Sequence, residues 1–281
     1  MKQKISAYAE LIRFDKPIGT FLLFYPLALS YLFLEPYFAQ LDILLKLFCG
    51  AFLMRSAGCI INDLCDRKFD RQVSRTSERP LASGAVTILE AIFILSFLLL
   101  VALAILITLG SKALNLGLLL IIPIIFYPLS KRFFPYPQLI LGLTFNAGVF
   151  IASYALFGEL VDFIWLIYAA SIFWTIGYDT VYAHQDKQDD LKLGLNSTAL
   201  NFGKYNKQII YLCYLLFLSL LLIVGVQQGL GLLYMILLQL LGIIIFRDIK
   251  YIDLADPIHC QAFFLRNNYY GLAICLIIVV S

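Results

Sequence analysis

Leu41-Asp-Ile-Leu-Leu-Lys-Leu-Phe-Cys-Gly-Ala-Phe-Leu-Met-Arg-Ser-Ala-Gly-Cys-Ile-Ile61 runs straight into Asn62-Asp-Leu-Cys-Asp-Arg-Lys-Phe-Asp70. The first part is long and apolar enough to cross the hydrocarbon core of a bilayer, for which about 20 residues suffice. The second part places three carboxylates and an amide at its end. Asn62, Asp66 and Asp70 are spaced by four and share one helical face, with Asp63 one position off it. Carboxylates crowded on one face repel one another unless a cation sits among them. An all-oxygen donor set favours a hard cation, magnesium in particular, which keeps waters and shares its coordination with substrate phosphates. In a soluble protein the same residues would read as a solvated helix end, so the surroundings decide.

Those surroundings are hydrocarbon. Of the 281 residues 62% are hydrophobic and only 14% charged, with a mean hydropathy of +0.88, whereas a soluble domain is nearer half apolar and a quarter charged. The chain therefore reads as an all-α integral membrane protein, a single domain over 1–281. Nine candidate spans lie near 18–34, 41–61, 86–109, 113–130, 138–157, 163–183, 208–227, 229–246 and 265–281. Met1–Lys16 carries charges of both signs and no small-residue cleavage pattern follows, so no signal peptide is expected. Cys49, Cys59, Cys65, Cys213, Cys260 and Cys275 are scattered through apolar runs without a CxxC pair and read as small buried hydrophobes.

The connecting segments fall into two sets. One holds 19 of the 21 basic residues, and the other only Lys46 and Lys112. By the bias of Lys and Arg toward the cytoplasm, the N-terminus is expected inside and, with nine spans, the C-terminus outside. Every unusual polar cluster lies on the basic side. A second acidic stretch, Tyr178-Asp-Thr-Val-Tyr-Ala-His-Gln-Asp-Lys-Gln-Asp-Asp190, leaves the sixth span, with Asp179, Tyr182, Asp186 and Asp190 again on one helical face. It lies about 116 residues after the first, which hints at an internal duplication with two pseudo-equivalent acidic sites facing one cavity.

Carboxylates at a membrane are costly to bury and mark a functional site by default. Acidic groups alone would suggest cation transport. Here Arg71, Arg75 and Arg79 follow the first cluster, and Tyr127-Pro-Leu-Ser-Lys131-Arg132 closes the fourth span. Acidic groups with converging cations suggest a magnesium-bridged phosphate or diphosphate whose outer oxygens are clamped by Arg and Lys. The bias of basic residues toward one side would by itself populate these loops, so no single one is decisive. Arg55 sits two turns before Asn62 within the span, where it can snorkel to the surface or receive a carboxylate from a second substrate. His184 receives no role.

Four motifs in order, Asn-Asp-x-x-Asp-x-x-x-Asp at 62–70, Arg-Thr-x-x-Arg-Pro-Leu-Ala-x-Gly at 75–84, Tyr-x-x-x-Lys at 127–131 and Asp-x-x-Tyr-Ala-x-x-Asp at 179–186 with Asp190, resemble the UbiA superfamily of membrane prenyltransferases. The likeness runs from about residue 11 to about 205 and thins over the last three spans. Leu11-Ile-Arg-Phe-Asp-Lys-Pro-Ile-Gly-Thr20, Asp66-Arg-Lys-Phe-Asp70 and Leu193-Gly-Leu-Asn-Ser-Thr-Ala199 resemble the branch that prenylates 4-hydroxybenzoate in ubiquinone biosynthesis. The resemblance implies nine helices around a central cavity capped on the cytoplasmic side of a bacterial inner membrane. It also implies two Mg2+ ions bridging a polyprenyl diphosphate. Carried over residue by residue, Asn62, Asp66 and Asp70 would serve one metal site and Asp179, Asp186 and Asp190 the other. Arg75, Arg79, Lys131 and Tyr127 would hold the diphosphate, Arg55 would lie near the aromatic acceptor, and Lys16 and Arg13 are further contributors. Asp63 is the least favoured metal ligand.

The implied reaction ionises the allylic C–O bond and attaches the prenyl carbon to the ring carbon ortho to the hydroxyl, with Asp179 taking the ring proton. The partners implied are 4-hydroxybenzoate, a polyprenyl diphosphate and membrane lipid, with neither a nucleic acid nor a protein partner called for. Haem O synthase and naphthoate, homogentisate or chlorophyll prenyltransferases share the diphosphate machinery and are the alternatives within the superfamily. A cation-coupled transporter is the alternative of another class, but it predicts charges near the bilayer midplane rather than at one face.

Overall fold

The computed structural model describes residues 2–35, 38–73 and 75–281. The elements are α1 (Lys2–Leu11), α2 (Ile18–Leu34), α3 (Leu41–Asp70), α4 (Pro80–Ser83), α5 (Ile88–Ile107), α6 (Ser111–Phe126), α7 (Pro137–Phe145), α8 (Gly148–Phe157), α9 (Ile164–Ala183), α10 (Lys187–Leu193), α11 (Thr198–Asn201), α12 (Asn206–Gln227), α13 (Leu232–Tyr251) and α14 (Pro257–Val280). Short 3-10 turns at Tyr127–Arg132, His184–Asp186 and Gly203–Tyr205 complete the order, and no strand occurs among the described residues.

Eight helical stretches among the described residues are long and apolar enough to cross a membrane. They answer to eight of the nine expected spans. The remaining one, 18–34, is α2, an apolar helix of 17 residues at the lower limit of spanning length. Two boundaries differ for identifiable reasons. The span expected at 138–157 is two helices, because Asn146 turns its amide back onto Gly142 O (2.8 Å) and across to Thr175 Oγ1 (2.9 Å) at the break. The last helix begins at Pro257 rather than near 265. Asp256 caps it by accepting from Ile258 N at 2.8 Å and Pro257 takes the first position, which needs no N–H. His259 and Gln261 interrupt the apolar run ahead of 265 and hid those first turns.

Helix α9 is the centre of the packing, against α12, α7, α14, α2 and α8. Its Trp174 is fully buried, stacks on Phe217 at 5.0 Å and donates from Nε1 to Asn267 Oδ1 at 2.8 Å. Tyr214 donates to the same oxygen at 2.6 Å, so three helices share one satisfied polar centre in a dry core. Helix α5 opens on a capping box in which Thr87 and Glu90 bond each other's backbone N–H. Its outer face carries exposed Leu89, Phe93, Phe97 and Leu100, a surface suited to lipid rather than water.

The site is placed by two helices that run toward the same end of the bundle. No proline interrupts Leu41–Asp70, so α3 remains helical through its whole acidic motif. Helix α9 continues through the turn at His184–Asp186 into α10, which gives the second motif the same aspect.

Candidate active site

The α3 motif carries two sets of ion pairs, one through Asp63 and Asp70 and one through Asp66. Asp63, 2% exposed, accepts from Arg13 Nη2 at 2.9 and 2.8 Å and from Arg79 Nη1 at 3.1 Å. The same Arg79 nitrogen reaches Asp70 Oδ2 at 3.0 Å. Asp66, also buried, faces Lys131 Nζ at 2.5 Å and Arg132 Nη2 at 3.5 Å. Arg132 is anchored in turn on Cys65 O at 2.8 Å.

Arg75 closes the gap between the two acidic motifs. It donates from Nε to Asp186 Oδ1 at 2.7 Å, from Nη2 to the other oxygen, and from Nη1 to Tyr182 OH at 3.1 Å. Its guanidinium also lies over the Tyr182 ring, 5.4 Å from the centroid. Burial works against the charge on Arg75 and Arg79. Asp186 with Tyr182 in the one case, and Asp63 with Asp70 in the other, outweigh it and raise both pKa values. Both stay cationic. Asp190 lies near Asp186, Lys131 and Arg75 but makes no ion pair among the described residues.

Beneath this network opens a cavity of about 500 Å³ between α3, α5, α6 and α8. Arg55, Asn62 and Tyr127 line its polar end, and Met54, Leu103 and Ile121 belong to its apolar wall. It continues along α3 as far as Lys46. Those sixteen residues correspond to about 24 Å at 1.5 Å per residue, close to the thickness of the hydrocarbon core. Asp179 does not line the cavity but lies behind its polar end, bonded to Gln138 and near Arg55 and Tyr127.

Arg55 is held but not satisfied. Nη1 donates to Cys59 Sγ at 2.7 Å, while the buried Nε has no partner. Gly19 leaves the room it occupies: a Cβ there would lie 2.7 Å from Nη2 and 2.8 Å from Cζ. With Nε packed against Gly19, the terminal nitrogens of the guanidinium are the donors left to meet an anionic group in this low-dielectric pocket.

All of the expected site residues converge on this end of the bundle, but not equally. Asp66, Asp70, Arg75, Arg79, Lys131 and Asp186 are joined by direct contacts, whereas Arg55, Asn62 and Tyr127 lie a layer deeper at the cavity, with Asp179 behind them. No group of three Asp, Glu, His or Cys side chains is drawn together among the described residues. The donor set nevertheless fits magnesium, which takes one or two carboxylates and completes its shell with water and phosphate oxygens. Arg13 proves a principal partner of Asp63, Arg132 stands among the converging cations of the sequence without a role of its own there, and Gln138 was not singled out by sequence. Gln138 lies seven residues past the nearest motif, and no sequence pattern marks it. His184 is buried with Nδ1 2.9 Å from Thr180 O, a structural role.

Residues 23–271 match the UbiA prenyltransferase family. A curated relative, the 4-hydroxybenzoate octaprenyltransferase of Psychromonas ingrahamii, is 41% identical over 273 residues, 97% of this chain and 95% of that one. Among solved structures, the apo UbiA homolog from Aeropyrum pernix K1 is 25% identical with a TM-score of 0.76, aligned over 93% of this chain and 95% of that one. A UbiA homolog from Archaeoglobus fulgidus bound to GPP and Mg2+ has a TM-score of 0.68 at 20% identity, over 98% of this chain and all of that one. The likeness at 20% identity speaks to the fold alone.

Proposed function

The chain belongs to the UbiA prenyltransferase family, and on that premise we propose that it transfers a polyprenyl group from its diphosphate to the ring carbon ortho to the hydroxyl of 4-hydroxybenzoate, in ubiquinone biosynthesis. The observation that carries the reading is one juxtaposition. Cations paired with carboxylates stand at the mouth of an apolar cavity, and an unsatisfied Arg55 lies just inside it.

Asp66, Asp70 and Asn62 on one side, with Asp186, Asp190 and Asp179 on the other, would hold Mg2+. When bound, the metal neutralises negative charge on a departing diphosphate. The charge balance supports this. Counting Asp179, Asp190 and Arg55, which make no ion pair among the described residues, with the paired groups, this end of the bundle holds six carboxylates (Asp63, Asp66, Asp70, Asp179, Asp186, Asp190) against six cations (Arg13, Arg55, Arg75, Arg79, Lys131, Arg132). A diphosphate with two divalent ions adds a net charge of only about +1, so the site stays near neutral. Arg75, Arg79 and Lys131 are pre-placed by Asp186, Asp70 and Asp66, so orienting them to the diphosphate needs little reorganisation as the allylic C–O bond breaks. Tyr127 adds a hydroxyl at the boundary between diphosphate and chain. Apolar walls keep water from the allylic cation. Arg55 holds the carboxylate of 4-hydroxybenzoate so that its ring faces the reacting carbon, and Asp179 takes the proton released from the ring onto a carboxylate oxygen.

The whole chain acts as one domain crossing a bacterial inner membrane nine times, α2 included, with N-terminus and site on the cytoplasmic side. The prenyl chain lies among lipid, and no protein partner is needed. The test is a membrane assay with radiolabelled 4-hydroxybenzoate, a polyprenyl diphosphate and Mg2+. A metal-dependent, lipid-soluble labelled product is expected, and its absence from membranes containing the folded protein would overturn the proposal.

A further inference from the structure

A second charged feature lies outside the ion pairs of the site. Helix α12 begins and α13 ends at the same level, where Lys207 Nζ donates to Lys250 O at 3.3 Å. Between them is an open groove of about 710 Å³ whose rim carries Lys207, Arg247 and Lys250, all exposed. Its floor is aromatic: Tyr211 and Phe246 stack with centroids 4.3 Å apart.

The charge of this rim is not cancelled from below. Asp248, 8% exposed, accepts from Arg247 Nη2 at 3.1 Å, pairs with Arg266 Nη1 at 3.0 Å and accepts from Tyr270 OH at 2.6 Å. One carboxylate shared by two guanidiniums leaves a net positive charge. It also fixes the direction of Arg247 without neutralising the groove. Toward the middle of the bundle the same faces become mostly apolar, with Leu212, Leu215, Leu240 and Ile243 exposed and only Ser219 and Gln239 polar among them. A basic rim, an aromatic shelf and an apolar descent form the sequence of surfaces that a phospholipid presents in reverse.

We infer that the α12–α13 groove binds an anionic glycerophospholipid, its phosphodiester held by Lys207, Arg247 and Lys250 and its acyl chains laid over Tyr211 and Phe246. The occupant is a lipid rather than free phosphate because the groove is continuous with the lipid-facing surface and the aromatic floor offers nothing to an inorganic ion. The inference does not depend on which aromatic acceptor the enzyme uses.

Native mass spectrometry of the full chain in detergent, titrated with phosphatidylglycerol and with phosphatidylcholine of the same acyl chains, tests it. Each basic group near a membrane surface contributes about fivefold in affinity, so three removed together cost on the order of a hundredfold. The triple variant Lys207→Gln, Arg247→Gln, Lys250→Gln should lose phosphatidylglycerol binding by about that factor. The charge-conserving triple Lys207→Arg, Arg247→Lys, Lys250→Arg should retain it within a few-fold, which separates lost charge from lost folding. Equal binding of the two lipids by the unaltered protein would overturn the inference. So would unchanged phosphatidylglycerol binding in the glutamine variant, or displacement of the lipid by inorganic phosphate.

Discussion

Asp63→Asn is the substitution whose consequence the geometry fixes most closely. Its carboxylate receives both oxygens' worth of hydrogen bonds from Arg13 and a third from Arg79, in a position 2% exposed. Removing one partner of a buried ion pair costs about 3–5 kcal/mol. Here the arginine side chains are 14% and 24% exposed, so water softens the loss and about 3 kcal/mol is the appropriate figure. Arg13→Gln should cost less, about 1–2 kcal/mol, because Arg79 still neutralises Asp63. The double variant should fall short of the sum by about 1–2 kcal/mol, since both changes break the same bonds. Thermal unfolding in detergent, followed by thiol labelling of the buried Cys59, Cys213 and Cys260, measures all three. At about 2–4 °C per kcal/mol, Asp63→Asn should lower Tm by about 6–12 °C. An unchanged Tm in Asp63→Asn, or full additivity in the double variant, would refute the assignment of Asp63 as the tie between the N-terminal segment and Arg79.

Two further predictions concern the cavity. Gly19→Val puts branched carbon where the Arg55 guanidinium lies, so KM for 4-hydroxybenzoate should rise about tenfold or more while KM for the polyprenyl diphosphate moves little; equal changes in both would show that Arg55 does not face the acceptor. Gly58 and Gly50 line the cavity and have no atoms near their missing Cβ positions, and they stand about 12 Å apart along α3. Gly58→Phe should therefore reduce transfer from every donor at least tenfold with a Tm within a few degrees, while Gly50→Phe should spare a short allylic diphosphate and block a long one; identical profiles for the two would mean that the chain does not run along α3.

Most of the fold was legible because membrane spans are long apolar runs and the acidic motifs keep helical spacing. The misread places are those where one polar side chain acts at a distance. Asn146 breaks a span through Thr175, which is 29 residues away, and no local pattern announces it. The first turns of α14 are a local exception, hidden by His259 and Gln261, polar residues ahead of the apolar run. In the site, helical spacing placed Asp63 one position off the face of Asn62, Asp66 and Asp70, but neither the Arg79 nitrogen it shares with Asp70 nor its occupation by Arg13 could be read. Arg13 is 50 residues distant and takes a positive φ of 57° to turn the chain there, an uncommon conformation for its residue type. The unsatisfied Nε of Arg55 likewise depends on Gly19 from another helix.

The central claim is that the acidic ends of α3 and α9 act together as a magnesium-dependent diphosphate site. Its most direct test is transfer of radiolabelled 4-hydroxybenzoate in membranes containing equal amounts of folded wild type, Asp66→Ala or Asp186→Ala, with and without Mg2+. The account predicts labelled lipid from the wild type only with the metal, and a loss of at least a thousandfold (about 4 kcal/mol in transition-state stabilisation) in either variant. Wild-type turnover in Asp66→Ala or Asp186→Ala would contradict it.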